Sequence, residues 1–334
     1  MGLILYHILT FSLAFLLSLY FTPIMRRGAL RFGILDRPDG RLKRHPQPVP
    51  YLGGVAVYFS FLLTVSFSFP FTEEALGLTL SGTILLLVGL LDDLGSLPPA
   101  VKLAAQTFAI FVLARAGVYI KLVFLPPWAN LSLTFLWLLA ITNAFNILDV
   151  MDGLAAGVGG IAAIGFAIVS TLNGRIEVAT MAVALGGSLW GFMRYNFAPA
   201  KIFLGDAGSM FIGFLLGGLA VVGSYSWKNP LGFLAPAVVL GVPIFDTLLV
   251  IYSRLKKGIS PFRGSPDHFA IKLQGLGLSP RKVALLSYGV GGGLAGLGIG
   301  MMEMGSWRAV LVISLLLLIL AIWGILIIDR MEGR

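Results

Sequence analysis

Long apolar runs alternate with short polar connections along this chain. Runs able to cross, or nearly cross, about 30 Å of hydrocarbon fall at roughly 3–23, 51–70, 75–91, 98–117, 131–148, 153–172, 176–194, 207–224, 231–253, 282–301 and 306–328. The pattern predicts an all-α polytopic membrane bundle of about eleven transmembrane helices, forming one integral membrane domain over 1–334. Met1 to Leu5 carry no basic n-region, so the first run is expected to stay as a span rather than be cleaved as a signal peptide. No internal repeat stands out.

An odd number of spans puts the termini on opposite sides, and the basic residues choose between them. With the N-terminus outside and the C-terminus inside, nineteen of the 24 Lys and Arg residues fall on the cytoplasmic face. The far face keeps Arg115, Lys121, Arg175, Lys228 and Arg308. The acids were not used to fix this topology, yet all ten Asp residues fall on or near the cytoplasmic side. The connections expected there run at about 24–50, 92–97, 149–152, 195–206 and 254–281, and a passive helical bundle gives no reason for acids to gather in them.

The sharpest interruption of the apolar pattern is 143–157, where Asn143, Asn146, Asp149 and Asp152 follow an apolar run and precede another. A charged Asp at the centre of a membrane helix costs roughly 2.5 to 3.5 kcal/mol, so such groups sit in polar cavities or at membrane edges with partners. Residues three apart on a helix are neighbours, but each such step drifts about 60° backwards. Asn143 and Asp152 therefore cannot face the same ligand on one helix. The helix is expected to end near Gly153, with Asp149 and Asp152 at its mouth.

Composition agrees with the pattern. The chain is 57% hydrophobic and 12% charged, with a mean hydropathy of +0.93, which excludes a soluble globule. It has no cysteine, which removes zinc–thiolate sites, redox motifs and disulfides from consideration. The basic density of the first loop, including Arg41 and Lys43, is accounted for by topology and anionic lipid head groups. No nucleic-acid partner is expected.

Several constellations carry candidate chemistry. Asp92 and Asp93 lie side by side at the end of the third apolar run, and like charges this close need a shared cation or a raised pKa. Helix termination before Pro98 and Pro99 is the plainer account. Lys102, just beyond, either snorkels or meets a phosphate. Phe203-Leu-Gly205-Asp206-Ala-Gly208-Ser209 opens the eighth run, where glycines allow close approach, helix-start N–H groups favour anions and Asp206 would hold a hard cation. Asp246, after Pro243, is either functional or an ion-pair partner of Arg254. Arg263 and His268 lie in the loop after residue 260, where His268 would face a diphosphate or balance a carboxylate.

Asp92-Asp93, Asn143-x-x-Asn146-x-x-Asp149-x-x-Asp152-Gly153-Leu154, Phe203-Leu-Gly205-Asp206-Ala-Gly208-Ser209 and Asp36-x-Pro38-x-x-Arg41-x-x-x-His45-x-x-x-x-Pro50-x-x-Gly53-Gly54 together resemble the polyprenyl-phosphate N-acetylhexosamine-1-phosphate transferase superfamily, of the glycosyltransferase 4 type. Within it, Ser260-Pro261-Phe262 through Asp267-His268 to Ser279-Pro280-Arg281 is similar to the branch acting from UDP-N-acetylglucosamine on undecaprenyl phosphate. The His-His-His-Phe-Glu string of the muramoyl-pentapeptide branch is absent.

The resemblance implies transfer of N-acetylglucosamine 1-phosphate to undecaprenyl or another polyprenyl phosphate with release of UMP. That would be the first membrane step of a cell-envelope glycan, at the inner membrane with the site facing the cytoplasm. It implies Mg²⁺ or Mn²⁺ on Asp206 with Asp149 or Asp152, and catalytic roles for Asp92, Asp93, Asp149 and Asp152. Asn143, Asn146, Phe203, Gly205, Asp246, Arg263 and His268 would bind the nucleotide sugar, with Phe203 stacked on uracil. Lys102, His45, Lys43 and Arg41 would meet the lipid phosphate. Membrane lipid is a further expected partner, and a homodimer is left open. The alternatives are a relative using another UDP-sugar, including a phospho-N-acetylmuramoyl-pentapeptide transferase, and, from a different class, a cation-coupled transporter.

Overall fold

Where no water reaches the backbone, each N–H and C=O must find an internal partner, so an apolar run folds as a helix. The computed structural model describes residues 2–38, 47–69, 71–223, 230–260, 266–316 and 318–319. Its helices are α1 (Gly2–Phe32), α2 (Gly53–Ser68), α3 (Glu73–Gly95), α4 (Pro99–Arg115), α5 (Pro127–Leu148), α6 (Leu154–Leu172), α7 (Ile176–Asn196), α8 (Gly205–Val222), α9 (Ala235–Val239), α10 (Gly241–Lys256), α11 (Phe269–Gly275), α12 (Pro280–Glu303) and α13 (Ser306–Leu316). Every predicted run thus coincides with helix over its described part.

Seven described helices are long and apolar enough to cross a membrane, α1, α3, α5, α6, α7, α8 and α12, or eight with one bent pair counted as a span. That pair corrects the expected run at 231–253. Leu231–Val239 and Gly241–Lys256 meet at 75°. Pro243 sits in the first turn of α10, where a missing N–H breaks no intrahelical bond, so the chain restarts there rather than running straight.

α8 is the central helix: 89% of its apolar window is buried, against 17% for α1. It packs on α2, α3 and α5. Small residues let backbones approach without hydrophobic driving force between helices. A side chain at Gly54 of α2 would place its Cβ 2.2 Å from the Gly208 nitrogen of α8.

The predicted polar connections gather at one end of this bundle. There Gly53 N donates to Phe203 O (3.0 Å), Phe203 N to Pro50 O (2.9 Å), Arg26 Nε to Lys201 O (3.0 Å) and Arg281 Nε to Ala198 O (2.7 Å). A two-residue antiparallel pairing, β1 (Leu35–Asp36) with β2 (Val49–Pro50), closes the first loop at this end. The opposite end is fastened by Tyr6 Oη to Ser68 O (2.9 Å) and by the pair Arg175 to Glu74 (2.5 Å).

Candidate functional site

The polar end draws its side chains from four helix termini. Asp93, in the last turn of α3, reaches the start of α8: its Oδ1 accepts from Asp206 N at 2.8 Å and its Oδ2 from Ala207 N at 3.1 Å. These N–H groups lack intrahelical partners, and a carboxylate there also suits the helix dipole. The contact requires Gly205, whose φ is +76° and whose absent Cβ would lie 2.5 Å from Asp93 Oδ2. Asp93 therefore fixes the position and direction of Asp206.

Asp92, one residue earlier, points elsewhere. Its Oδ1 accepts from Leu97 N at 2.5 Å, and its Oδ2 pairs with Lys102 Nζ from the first turn of α4. The same ammonium lies 2.7 Å from Asp206 Oδ2. Asn146 of α5 donates to Asp206 Oδ1 (3.0 Å) and lies 3.1 Å from Ser209 Oγ. Both oxygens of Asp206 are thus held, one by a cation and one by an amide.

Asp149 caps the C-terminus of α5. Among the described residues it has no hydrogen bond or ion pair. Burial first, then the charges of Asp206, Asp93 and Asp152, push its carboxyl well above the usual carboxylate range.

A cavity of about 510 Å³ opens beside this cluster, lined by Asp92, Asp93 and Asp206 and by Asp36, Arg37, Tyr51 and Ser96, among others. Burial, the hydrogen bond to Asp36 and the charges of Asp36, Asp93 and Asp206 raise the Tyr51 phenol, which stays protonated. The Phe203 ring lies 6.4 Å from that of Tyr51, inclined at 55°.

The structure therefore brings together Asp92, Asp93, Lys102, Asn146, Asp149, Gly205 and Asp206, with Phe203 nearby. Asn143 turns away, exchanging hydrogen bonds with Gln106 of α4, the shorter at 2.9 Å, as the helical drift requires. Asp152 lies beyond the end of α5 and accepts from Ala200 N at 2.8 Å, so it fastens the connection between α7 and α8. Asp246 is fully buried, with Oδ2 2.9 Å from His268 Nδ1 and Oδ1 accepting from Phe269 N at 2.8 Å. Those two residues lock α11 onto α10, and the charge of Asp246 also acts on Arg254. Arg41, Lys43, His45 and Arg263 lie outside the described residues.

Sequence reasoning assigned no role to Arg37, Tyr51 or Ser96, and named Ser209 only as the end of the Phe203 string. Tyr51 had a signal, since it stands inside the Pro50-x-x-Gly53-Gly54 string between two bends that return the chain to the site. Ser96 had none.

The donors facing the cavity are carboxylate oxygens, hard ligands suited to Mg²⁺ or Mn²⁺. Among the described residues no three acidic or His side chains close on a single point as a protein cage. Mg²⁺ typically takes one or two carboxylates and completes its shell with water and substrate phosphates. Asp149, without a partner among the described residues and within reach of the charge of Asp206, fits that second mode beside the Lys102 ammonium that already balances charge.

The model of glycosyl transferase family 4 matches residues 75–224. The chain is 33% identical over 297 residues to a probable undecaprenyl-phosphate N-acetylglucosaminyl 1-phosphate transferase of Bacillus subtilis, covering 85% of this chain and 82% of that protein. It is 31% identical to the decaprenyl-phosphate N-acetylglucosaminephosphotransferase of Mycolicibacterium smegmatis, over 82% of this chain and 77% of the relative. With the undecaprenyl-phosphate alpha-N-acetylglucosaminyl 1-phosphate transferase of Escherichia coli K12 it shares 28% identity, over 85% and 81%.

Proposed function

Because the chain belongs to glycosyl transferase family 4, we propose that it transfers N-acetylglucosamine 1-phosphate from UDP-N-acetylglucosamine to undecaprenyl or another polyprenyl phosphate. The products are polyprenyl-diphospho-N-acetylglucosamine and UMP, formed at the cytoplasmic face of the inner membrane. The observation that carries this is the Lys102 ammonium held between Asp92 and Asp206, two of the carboxylates that line a cavity at the polar end of the bundle.

In the reaction an oxygen of the lipid phosphate forms a bond to the sugar-bearing phosphorus. The bond from that phosphorus to the oxygen bridging the two phosphates breaks, and its electrons leave with UMP. Two anions must approach, so catalysis rests on positioning and charge compensation more than on covalent help. Lys102 meets an incoming phosphate by exchanging a carboxylate oxygen for a phosphate oxygen without leaving the site. Asn146 holds the Asp206 carboxylate in plane, and Asp93 holds the α8 terminus that carries it. A Mg²⁺ or Mn²⁺ ion bound by Asp206 with Asp149 would supply further neutralisation of the diphosphate. Asp92 has one oxygen on Leu97 N and the other on Lys102, which suits organising the lipid phosphate better than attacking phosphorus. Direct transfer is therefore favoured over a covalent aspartyl-phosphate.

The test is UMP release by the purified protein from a panel of UDP-sugars with one polyprenyl phosphate. Release should need the lipid and a divalent cation together and be fastest with UDP-N-acetylglucosamine. Equal release without lipid or cation would end the proposal. Labelled phosphosugar trapped on the protein in the absence of lipid would replace the direct route with the covalent one. A cation-coupled transporter would hold its acids near mid-span, whereas these stand at helix ends; ion-driven uptake in proteoliposomes would revive it.

A further inference from the structure

At the end of the bundle away from the aspartates, the connection between α4 and α5 has a use that the transferase reaction leaves unexplained. Two buried polar side chains of α5 fix its shape. Asn130 Oδ1 accepts from Leu122 N at 3.1 Å while its Nδ2 donates to Leu122 O (3.2 Å) and Leu125 O (3.4 Å), and Thr134 Oγ1 accepts from Ile120 N at 2.9 Å. Asn130 is 8% exposed and Thr134 1%. The loop and the first turn of α5 nonetheless present apolar groups: Val123 is 101% exposed, Phe124 71% and Trp128 71%. Aromatic and apolar side chains turned outward at the end of a span belong at the boundary between hydrocarbon and head groups.

Two cations stand at this connection, Arg115 at the end of α4 and Lys121 in the loop. Lys121 Nζ lies 4.6 Å above the ring of Tyr119. Tyr119 and Arg115 line a cavity of about 330 Å³ whose remaining wall is Phe111, Ala114, Pro127 and Leu131. No Asp or Glu occurs between Asp93 and Asp149, so neither cation has an acid on its own stretch of chain. Elsewhere on this end Arg175 is paired with Glu74 and Arg308 lies over the Trp307 ring at 5.2 Å. The positive-inside bias makes cations scarce on this face, and two of them stand together beside an apolar slot.

We infer that this slot binds one anionic glycerophospholipid, its phosphate between Arg115 and Lys121 and the start of one acyl chain along Phe111 and Leu131. Val123 and Phe124 of the loop and Trp128 at the start of α5 lie in the interface beside it. The occupant is a lipid rather than free phosphate because the wall between the cations is apolar. An anionic head group is preferred because Arg115 lines the slot and Lys121 lies over Tyr119, which also lines it, and neither cation is ion-paired among the described residues. Each basic residue near an anionic membrane surface contributes roughly 1 kcal/mol, which is about fivefold in affinity.

The test uses the full-length protein, delipidated in detergent and titrated with phosphatidylglycerol or phosphatidylcholine of matched chains, with bound lipid counted by native mass spectrometry. One phosphatidylglycerol should be retained at least tenfold more tightly than phosphatidylcholine, and inorganic phosphate should not compete at millimolar concentration. The Arg115→Gln, Lys121→Gln double variant should lose the preference, while Arg115→Lys with Lys121→Arg keeps it. UMP release in detergent micelles that contain polyprenyl phosphate but no glycerophospholipid reports that both variants are folded. Equal retention of the two lipids by the wild type, or an undiminished preference in the glutamine variant, would overturn the inference.

Discussion

Replacing Lys102 by Met keeps much of the side-chain volume and removes the one ammonium that joins Asp92 to Asp206. Its size can be worked from exposure. The side chains are 25% (Lys102), 12% (Asp92) and 31% (Asp206) exposed. They lie between surface pairs, whose loss costs about 0 to 1 kcal/mol, and buried ones, whose breaking costs about 3 to 5. About 2 kcal/mol is the expected loss. With an unfolding entropy near 2.1 cal/mol/K per residue, a chain of 334 residues shifts its Tm by about 3 °C for that loss. The assay is thermal unfolding in detergent with divalent cations chelated, repeated with millimolar Mg²⁺. The variant should melt about 3 °C below the wild type without Mg²⁺ and recover most of the difference with it, because a divalent ion replaces the missing charge. UMP release should fall at least a hundredfold under both conditions. Lys102→Arg should restore the Tm but only part of the activity, since a guanidinium fork does not move between partners as a point charge does. If Lys102→Met melts with the wild type in chelator, charge compensation by Lys102 is not what holds these carboxylates together.

Gly205→Ala should lose nearly all UMP release and more than about 1 kcal/mol of stability, because strain at positive φ adds to a Cβ 2.5 Å from Asp93 Oδ2. Gly33→Ala is its control: φ is +70° there too but nothing lies within 4 Å, so about 1 kcal/mol should go and activity stay. Asp149→Asn removes one of several mutually repelling acids; a raised Tm with activity down at least a hundredfold is expected, and a lowered Tm would mean that Asp149 has a structural partner. Asp246→Ala strands Phe269 N and the His268 ring in a fully buried place and should cost about 3 kcal/mol, read from chemical denaturation, with Asp246→Asn recovering part of it.

Much of this architecture was legible because hydrocarbon leaves the backbone few choices. Apolar length located the described helices except α11, which lies inside the connection expected at 254–281. Seven or eight described spans, rather than eleven, are long and apolar enough to cross. The basic residues sorted the connections into two sets that the structure gathers at two ends. What failed to show was the break within 231–253. A bend inside an apolar run changes neither composition nor length, and Pro243 reads equally well as a helix start or a kink. Periodicity separated Asn143 from Asp152, whose partners in the structure are Gln106 and Ala200, because a fixed rotation per residue needs no tertiary knowledge. It gave no hint of Asn143's partner, Gln106, which stands on another helix. Tyr51 and Arg37 were hidden for a similar reason: they reach the cavity only because β1 and β2 pair and because Phe203 binds the backbone at Pro50 and Gly53.

The aspartates show why residue type alone does not assign a site. Asp93, Asp152 and Asp246 each accept from backbone N–H groups of another segment, respectively Asp206 and Ala207, Ala200, and Phe269. A carboxylate used in this way is a fastener, and burial strengthens it, because charge-assisted hydrogen bonds gain where water is excluded. Asp92 and Asp206 share a side-chain cation that can be exchanged, and Asp149 has only other acids for company. Such groups are costly to hold together in an empty protein and become favourable when positive charge arrives. The two uses depend on each other. Asp206 faces Lys102 only because Asp93 grips the first turn of α8, and Asp93 reaches that turn only because Gly205 has no side chain. The fasteners spend their charge on the backbone so that the remaining acids can keep theirs for the ligand.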